Sequence, residues 1–179
     1  MSESTSFLEE RLRKEGEKVQ AFFQRYALSG WNQPVYSVSP VQVGELTSSN
    51  PWRVREVLAH LVATESSLSQ LISDVASGGT GAPVDFDMDD FNHRKVVELE
   101  TTSYDDLLAQ FASLRKATIS FVSKLTEADL NRVGRHPFLG RVALVEMIKL
   151  IYLHNQLHLR EVRRILQEPF APQGNLAAG

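Results

Sequence analysis

One segment sets the helical character of this chain: Leu150-Ile-Tyr-Leu-His154-Asn-Gln-Leu-His158-Leu-Arg-Glu161. Its two histidines are four residues apart, so on a helix they lie one above the other and both imidazoles can reach the same ion. The apolar residues that surround them on the helical wheel are Met147, Leu150, Ile151, Leu157, Val162 and Ile165. Both histidines are therefore predicted to face a protein core, where an imidazole needs a metal ion, a carboxylate or water as its partner.

A third ligand on another helix would complete the arrangement of catalytic zinc, in which three protein side chains leave one position open. The alternative is that the pair arises by chance and consists of hydrogen-bonded core histidines. His60 supplies the third donor, because it lies beside the apolar stripe of a second predicted helix that begins at Asn50-Pro51-Trp52. The sequence thus predicts three histidines on two helices as metal ligands.

Two carboxylates accompany these histidines. Glu65 occupies the apolar stripe of the second helix, where a carboxylate is costly unless it is paired, metal-bound or protonated. Glu161 lies seven residues after His154, along the same helical face. Each is a candidate to orient a ligand imidazole or to act as a general base. The alternatives are a wet end of the bundle for Glu65 and surface ion pairs with neighbouring arginines for Glu161.

Composition limits the class of protein. The 179 residues, 20.1 kDa, predict one domain over residues 1–179, with a core of about 5–167 and a loosely ordered tail at 168–179. A net charge of −3 with scattered basic residues argues against nucleic acid as a partner. The start lacks the features of a signal peptide and no run is long enough to span a membrane, so we expect a cytoplasmic protein without a membrane partner. With no cysteine, any metal must be held by histidine and carboxylate.

Four long amphipathic helices are predicted, which makes the fold all-α. They run from about Thr5 to Leu28, from Asn50 to a Gly-rich break at Ser77, from Thr102 or Ser103 to about Lys124, and from Arg141 or Val142 to Leu166. A short helix from Asp89 to Leu99 is predicted between the second and third, and a loop or short strand at residues 36–43 between the first and second. Residues 126–140 are predicted as a polar connection with a single helical turn, in which His136, just before Pro137, is a loop residue.

Three stretches occur in an order that resembles the DinB/YfiT-like superfamily: Pro51-Trp-Arg-Val-Arg-Glu-Val-Leu-Ala-His60-Leu, Asp90-Phe-Asn-His-Arg94 and His154-Asn-Gln-Leu-His158-Leu-Arg-Glu-Val162. The resemblance covers residues 5 to about 167. It implies a four-helix bundle of up-down-down-up topology with a divalent metal held by His60, His154 and His158. The long connection from Ser77 to Ser103 suits that topology, because two successive parallel helices need a crossover as long as the bundle.

The resemblance implies more than one function. The superfamily includes hydrolases and transferases or isomerases that use a low-molecular-weight thiol, so we expect a metal-dependent enzyme that activates water or such a thiol against a small-molecule substrate. The alternative is a non-catalytic protein that binds or sequesters a small molecule on the same fold. Histidine ligands predict zinc, with nickel, cobalt or iron as alternatives.

The resemblance and a set of apolar residues on several faces of the first and third long helices together predict a homodimer. Those residues are Phe7, Phe22, Phe23, Phe111 and Ile119. Trp52, Tyr104 and Phe138 are candidate residues of an entrance to the site, with an ordinary place in the core as the alternative.

Overall fold

The computed structural model describes residues 3–26, 34–35 and 52–167. Its helices are α1 (Glu3–Tyr26), α2 (Val54–Ala76), α3 (Met88–Glu98), α4 (Tyr104–Val122), α5 (Glu127–Leu130) and α6 (Leu144–Gln167). Its strands are β1 (Pro34–Val35), β2 (Trp52–Arg53), β3 (Val133–His136) and β4 (Gly140–Ala143), paired as two antiparallel ribbons, β1 with β2 and β3 with β4. The four long helices and the short α3 match the predicted elements.

The contacts between helix ends give the topology of the bundle. The Tyr104 hydroxyl donates to the Phe23 carbonyl, so the start of α4 meets the end of α1. Arg55 Nη2 donates to the carbonyls of Leu99 (2.7 Å) and Thr102 (2.6 Å), which lie just before α4, so the starts of α2 and α4 are adjacent. Helix α4 is therefore antiparallel to α1 and parallel to α2.

Two apolar clusters fill the two ends of the bundle. The first lies where α1 and α6 end and α2 and α4 begin, and it includes Val19, Phe23, Val57, Leu58, Leu107, Phe111, Leu159 and Val162. The second lies where α1 and α6 begin and α2 and α4 end, and it includes Leu8, Leu12, Ile72, Val75, Val122, Leu144, Met147, Ile148 and Ile151. Helices α1 and α6 thus run one way and α2 and α4 the other, which confirms the predicted up-down-down-up bundle.

The start of α2 differs from the prediction. The predicted start was Asn50-Pro51-Trp52; Asn50 and Pro51 lie outside the described residues, and the helix begins at Val54. The physical reason is that the backbone of Trp52 and Arg53 pairs with Pro34 and Val35 as β2. The carboxylate of Glu56 accepts from the Arg53 backbone N–H (2.6 Å) and closes the first turn of the helix.

The connection before α6 also differs. The predicted single turn is present as α5, but residues 133–143 form the β3–β4 hairpin, so α6 begins at Leu144 instead of Arg141 or Val142. The prediction that His136 is a loop residue is wrong: it ends β3 and is only 4% exposed. Gly134 lets the hairpin pack closely on α2, because a Cβ at this position would lie 2.3 Å from Val75 Cγ2.

The crossover between α2 and α4 is attached to this hairpin. Arg135 N donates to the Thr80 carbonyl and Ala82 N donates to the Arg135 carbonyl, both at 2.8 Å. Gly81 has a φ of +84°, and a Cβ there would lie 2.3 Å from the Arg135 carbonyl oxygen. Helix α3, in the middle of the crossover, packs against α2. The crossover therefore holds β3, and with it His136, in place.

Several expectations remain predictions after the fold is known. The strand at residues 36–43 and the tail at 168–179 lie outside the described residues. Of the apolar residues behind the expected homodimer, Phe22, Phe23 and Phe111 are buried in the core, whereas Phe7 is 56% exposed. None of the described helices is both long enough and apolar enough to cross a membrane.

Candidate metal centre

Three histidines converge between α2 and α6. His154 Nε2 lies 3.2 Å from His60 Nε2 and 3.0 Å from His158 Nε2. Two nitrogens bound to one tetrahedral zinc at about 2.0–2.1 Å are about 3.3 Å apart, so these atoms are spaced nearly as ligands of one ion. The structure therefore brings the three predicted ligands together.

The helices explain this convergence. His154 and His158 project from the same face of α6, and His60 projects from the first half of α2, where the two helices are antiparallel. His60 and His158 are buried, whereas His154 is partly exposed. The Trp52 ring packs against His60 at a centroid distance of 4.9 Å, so the short strand before α2 covers one side of the cluster.

Glu161 fixes the proton on one of the three rings. Its Oε2 lies 3.0 Å from His158 Nδ1. An ionised carboxylate only accepts hydrogen bonds, so Nδ1 carries the proton and His158 Nε2 presents a lone pair to the cluster. Glu161 thus contacts His158, three residues earlier, whereas the sequence spacing placed it along the face of His154.

The three Nε2 atoms of the cluster cannot all satisfy one another. His60 Nδ1 and His154 Nδ1 have no hydrogen-bond partner among the described residues, so no other group fixes the tautomer of these two rings. A neutral imidazole has one donor and one acceptor nitrogen, and a single proton on the central His154 Nε2 can form a good hydrogen bond to only one neighbouring nitrogen. One cation would instead accept all three Nε2 lone pairs. The donor set therefore fits a divalent metal.

The electrostatics keep two of the rings neutral. Burial, followed by the neighbouring histidines, lowers the pKa of His60 and of His154 well below the usual 6.5. Metal ligation requires a neutral imidazole, and the folded protein therefore presents these two rings in the form that binds a metal at neutral pH.

Glu65 is engaged in a buried ion pair. Its Oε1 accepts from Arg115 Nε (2.9 Å) and Thr118 Oγ1 (2.8 Å), and its Oε2 accepts from Arg115 Nη2 (2.6 Å). Arg115 Nη1 also donates to the Leu12 carbonyl (2.8 Å), and Gly16 leaves room for the guanidinium, because a Cβ there would lie 2.8 Å from Arg115 Cγ. The structure thus ties Glu65 to α1 and α4 and shows no hydrogen bond from it to the three histidines.

His136 is a site residue that the sequence did not reveal. It ends β3, and its Nδ1 accepts from the backbone N–H groups of Phe138 (3.0 Å) and Leu139 (3.3 Å). Burial lowers the pKa of His136 to about 4. His136 also contributes to the lowered pKa of His154. The available signal was the sequence His136-Pro-Phe-Leu-Gly140, which is typical of a tight hairpin turn.

A cavity of about 1660 Å³ opens beside the cluster. Its walls include all three candidate ligands and His136, together with aromatic and aliphatic side chains of α3 and the hairpin. Trp52 and Phe138 line it, as predicted for an entrance, whereas the Tyr104 hydroxyl bonds to the end of α1. The histidines therefore meet a largely apolar chamber that can hold a small molecule.

Comparisons with known proteins give one family and one fold. The family model of the DinB superfamily matches residues 11–162. The uncharacterized protein YuaE of Bacillus subtilis (strain 168) is 21% identical over 158 residues, which are 83% of this chain and 97% of that protein. A solved structure of YfiT from Bacillus subtilis has a TM-score of 0.70 at 17% identity, covering 92% of this chain and 87% of that one. YfiT is described as "a probable metal-dependent hydrolase with an unusual four-helix bundle topology". At this identity, the likeness shows the fold.

Proposed function

This chain belongs to the DinB superfamily, and on that premise we propose that it is a metal-dependent hydrolase of small molecules. His60, His154 and His158 hold one divalent ion through their Nε2 atoms, and water is the activated nucleophile. The observation that carries the proposal is the convergence of three histidines at the wall of a cavity, with His154 Nε2 3.2 Å from His60 Nε2 and 3.0 Å from His158 Nε2.

The ligand set suits hydrolysis. A zinc ion on three neutral ligands keeps its full charge and, when bound, lowers the pKa of a water ligand to about 7. Glu161 holds the His158 ring in the tautomer that ligates and increases its basicity. Zinc is the proposed metal, with nickel, cobalt and iron as the alternatives that metal analysis distinguishes.

The other carboxylate, that of Glu65, takes no part in the proposed reaction. A general base must be within reach of the proton that it takes, and Glu65 instead lies in a buried ion pair with Arg115 and makes no hydrogen bond to the three histidines. Glu65 connects α2 to α4 through Arg115 and Thr118, and this connection helps to fix the relative position of the two helices. We assign Glu161 the role of positioning residue.

The size of the cavity favours a second candidate function. A volume of about 1660 Å³ exceeds the roughly 300–1,000 Å³ of ordinary ligand pockets, which leaves room for a substrate and a cosubstrate together. A low-molecular-weight thiol is the cosubstrate expected in that case, and the reaction would be thiol transfer. Binding of a small molecule without turnover is the non-catalytic alternative.

Metal content is the first test. Elemental analysis of the purified protein should give about one divalent ion per chain, and the variant with His60, His154 and His158 all changed to alanine should give none. His93→Ala is the matched control, since His93 is an exposed histidine on α3. If the triple variant is folded by circular dichroism and still retains wild-type metal, the proposed ligand set is wrong.

Activity is the second test. Esters and amides of small acids should be screened with the metal-loaded protein, alone and with glutathione, bacillithiol or mycothiol. The proposal is supported if hydrolysis occurs without thiol, is abolished by His154→Ala and by a chelator, and returns when zinc is added to the chelator-treated wild type. Turnover only with a thiol supports the transferase, and ligand binding without turnover supports sequestration. Turnover that survives both chelator and His154→Ala refutes a metal-dependent reaction.

A further inference from the structure

The hydrogen bonds of His136 determine which of its nitrogens carries the proton. Two backbone N–H groups, of Phe138 and Leu139, point at Nδ1 at 3.0 and 3.3 Å. Both are donors, so Nδ1 must be the acceptor and the proton of the neutral ring must lie on Nε2. A proton on Nδ1 would face two other protons and open the hairpin turn. The turn therefore holds His136 as a neutral ring with a donor on Nε2.

That donor is buried without a partner. His136 is 4% exposed, and its Nε2 has no hydrogen-bond partner among the residues that the structure describes. A buried N–H that stays unpaired costs roughly 1–3 kcal/mol, so such a group in a rigid turn calls for an acceptor.

The position of His136 indicates where the acceptor comes from. His136 is among the residues that line the same cavity as the three clustered histidines, and it contributes to the lowered pKa of His154. The ring is fixed by a hairpin that is attached to the crossover at Gly81 and Arg135. A molecule bound beside the cluster would therefore occupy the cavity that His136 also lines.

We infer that His136 donates a hydrogen bond from Nε2–H to an oxygen of the small molecule bound beside the three-histidine cluster, and so selects substrates with a carbonyl or carboxylate oxygen. This inference rests on the proposed function. His136 is then a substrate-binding residue. It does not act as a general acid, because Nδ1 accepts from two backbone N–H groups and cannot take up the second proton that an imidazolium acid needs.

A role as a fourth metal ligand conflicts with the same geometry. Ligation through Nε2 would require the proton to move to Nδ1, where the N–H groups of Phe138 and Leu139 already point. Only His60, His154 and His158 form a group of metal-ligating atoms among the described residues. The two roles also differ in what they predict, since a ligand affects metal content and a donor affects the affinity for oxygen-containing molecules.

The tautomer is tested without metal or substrate. Nitrogen-15 NMR of the imidazole rings in the chelator-treated full-length protein, assigned with His136→Gln, should show the proton of His136 on Nε2 at pH 7. A proton on Nδ1 would overturn the inference.

The donor is tested by binding two probes to the zinc-loaded protein. Acetohydroxamate binds zinc through two oxygens that can also accept a hydrogen bond, whereas imidazole binds zinc through nitrogen and offers no oxygen. Calorimetry should show that His136→Ala weakens acetohydroxamate about tenfold, the worth of one hydrogen bond, and leaves imidazole within about twofold. His136→Gln, which keeps an N–H donor, should recover part of the loss, and Lys116→Gln, exposed on α4 and outside the cavity lining, should behave as wild type.

The outcomes separate this inference from the function on which it rests. Unchanged acetohydroxamate affinity in His136→Ala overturns the inference and leaves the metal site intact. Equal weakening of both probes, or a loss of zinc, shows that His136 supports the site's structure or ligates the metal, and also overturns it. If the wild-type protein binds no metal, the proposed function is refuted and this inference with it.

Discussion

Arg115→Met is expected to destabilise the fold strongly without removing the metal ligands. The guanidinium donates three hydrogen bonds inside the bundle, two to the carboxylate of Glu65 and one to the Leu12 carbonyl. The side chains of Arg115 and Glu65 are 3% and 1% exposed. After the substitution, Glu65 keeps Thr118 as a donor, and a buried charge is left without its counter-ion.

The magnitude follows from that burial. Removing one partner of a buried pair costs about 3–5 kcal/mol, because the remaining charge must stay desolvated or take up a proton. A loss of about 4 kcal/mol is a large part of a total stability of roughly 5–15 kcal/mol. With a urea dependence of about 2 kcal/mol per molar, the unfolding midpoint should fall by about 2 M.

Urea unfolding followed by circular dichroism, with all variants treated with chelator, measures this change. The double variant Glu65→Met with Arg115→Met should recover much of the loss, because it leaves no unpaired charge, and Lys116→Met, on the exposed face of α4, should have little effect. A loss below about 1 kcal/mol for Arg115→Met, or a double variant as unstable as the single one, would refute the reasoning about the ion pair.

Four further outcomes are expected. Glu161→Gln should weaken zinc binding by roughly tenfold or more, since His158 Nδ1 loses its carboxylate partner. Competition with a chromophoric chelator measures the affinity, and Glu146→Gln, exposed on the same helix, is the control. Equal affinities for wild type and Glu161→Gln would contradict the role of Glu161. The metal-free protein should lose stability as pH falls below about 6.5, because the pKa of His60 and of His154 is lower in the folded than in the unfolded chain. The slope is up to about 1.4 kcal/mol per pH unit for each proton, and urea midpoints that do not change between pH 7.5 and 5 would contradict it. Gly134→Ala should lower the free energy of unfolding by about 1–3 kcal/mol, because its Cβ would lie 2.3 Å from Val75 Cγ2. Adding Val75→Ala to this variant should restore part of the loss. A melting temperature that does not change in Gly134→Ala would contradict the close packing of the hairpin on α2. Sedimentation equilibrium at tens of micromolar should give a dimer that Phe7→Ser dissociates, and a wild-type monomer would remove the homodimer.

The parts of the fold that depend on local pattern were predictable from the sequence. Apolar periodicity alone marks the buried face of each long helix, and Ser103 caps α4 by accepting from the backbone of Asp106, as its position in the sequence predicts. The spacing of His154 and His158 fixes them on one face of α6, and the anomalous place of His60 beside an apolar stripe points to the same interior. The positions of the three histidines on their helices were therefore enough to predict that they cluster.

The parts that depend on distant contacts were not predictable. The strand β3 has four residues and owes its place to pairing with β4 and with residues 80–82, which lie about 50 positions earlier in the chain. For the same reason, the burial of His136 has no local signal. Arg115 lies next to Lys116 and has the local sequence of a solvent-exposed residue, and its burial depends on the space that Gly16 leaves on another helix.

The candidate ligands are unevenly distributed along the chain, and this has a consequence for the order of events during synthesis. His60 and His154 meet across a separation of 94 residues, and the second of them lies on α6. The proposed ion could therefore be held by all three rings only after α6 has been made. The ion would then close a loop of 94 residues, and closing so long a loop reduces the entropy of the unfolded chain as a cross-link does. A chain truncated before α6 would have neither the proposed ion nor this restraint, and we expect it to be more open to proteolysis.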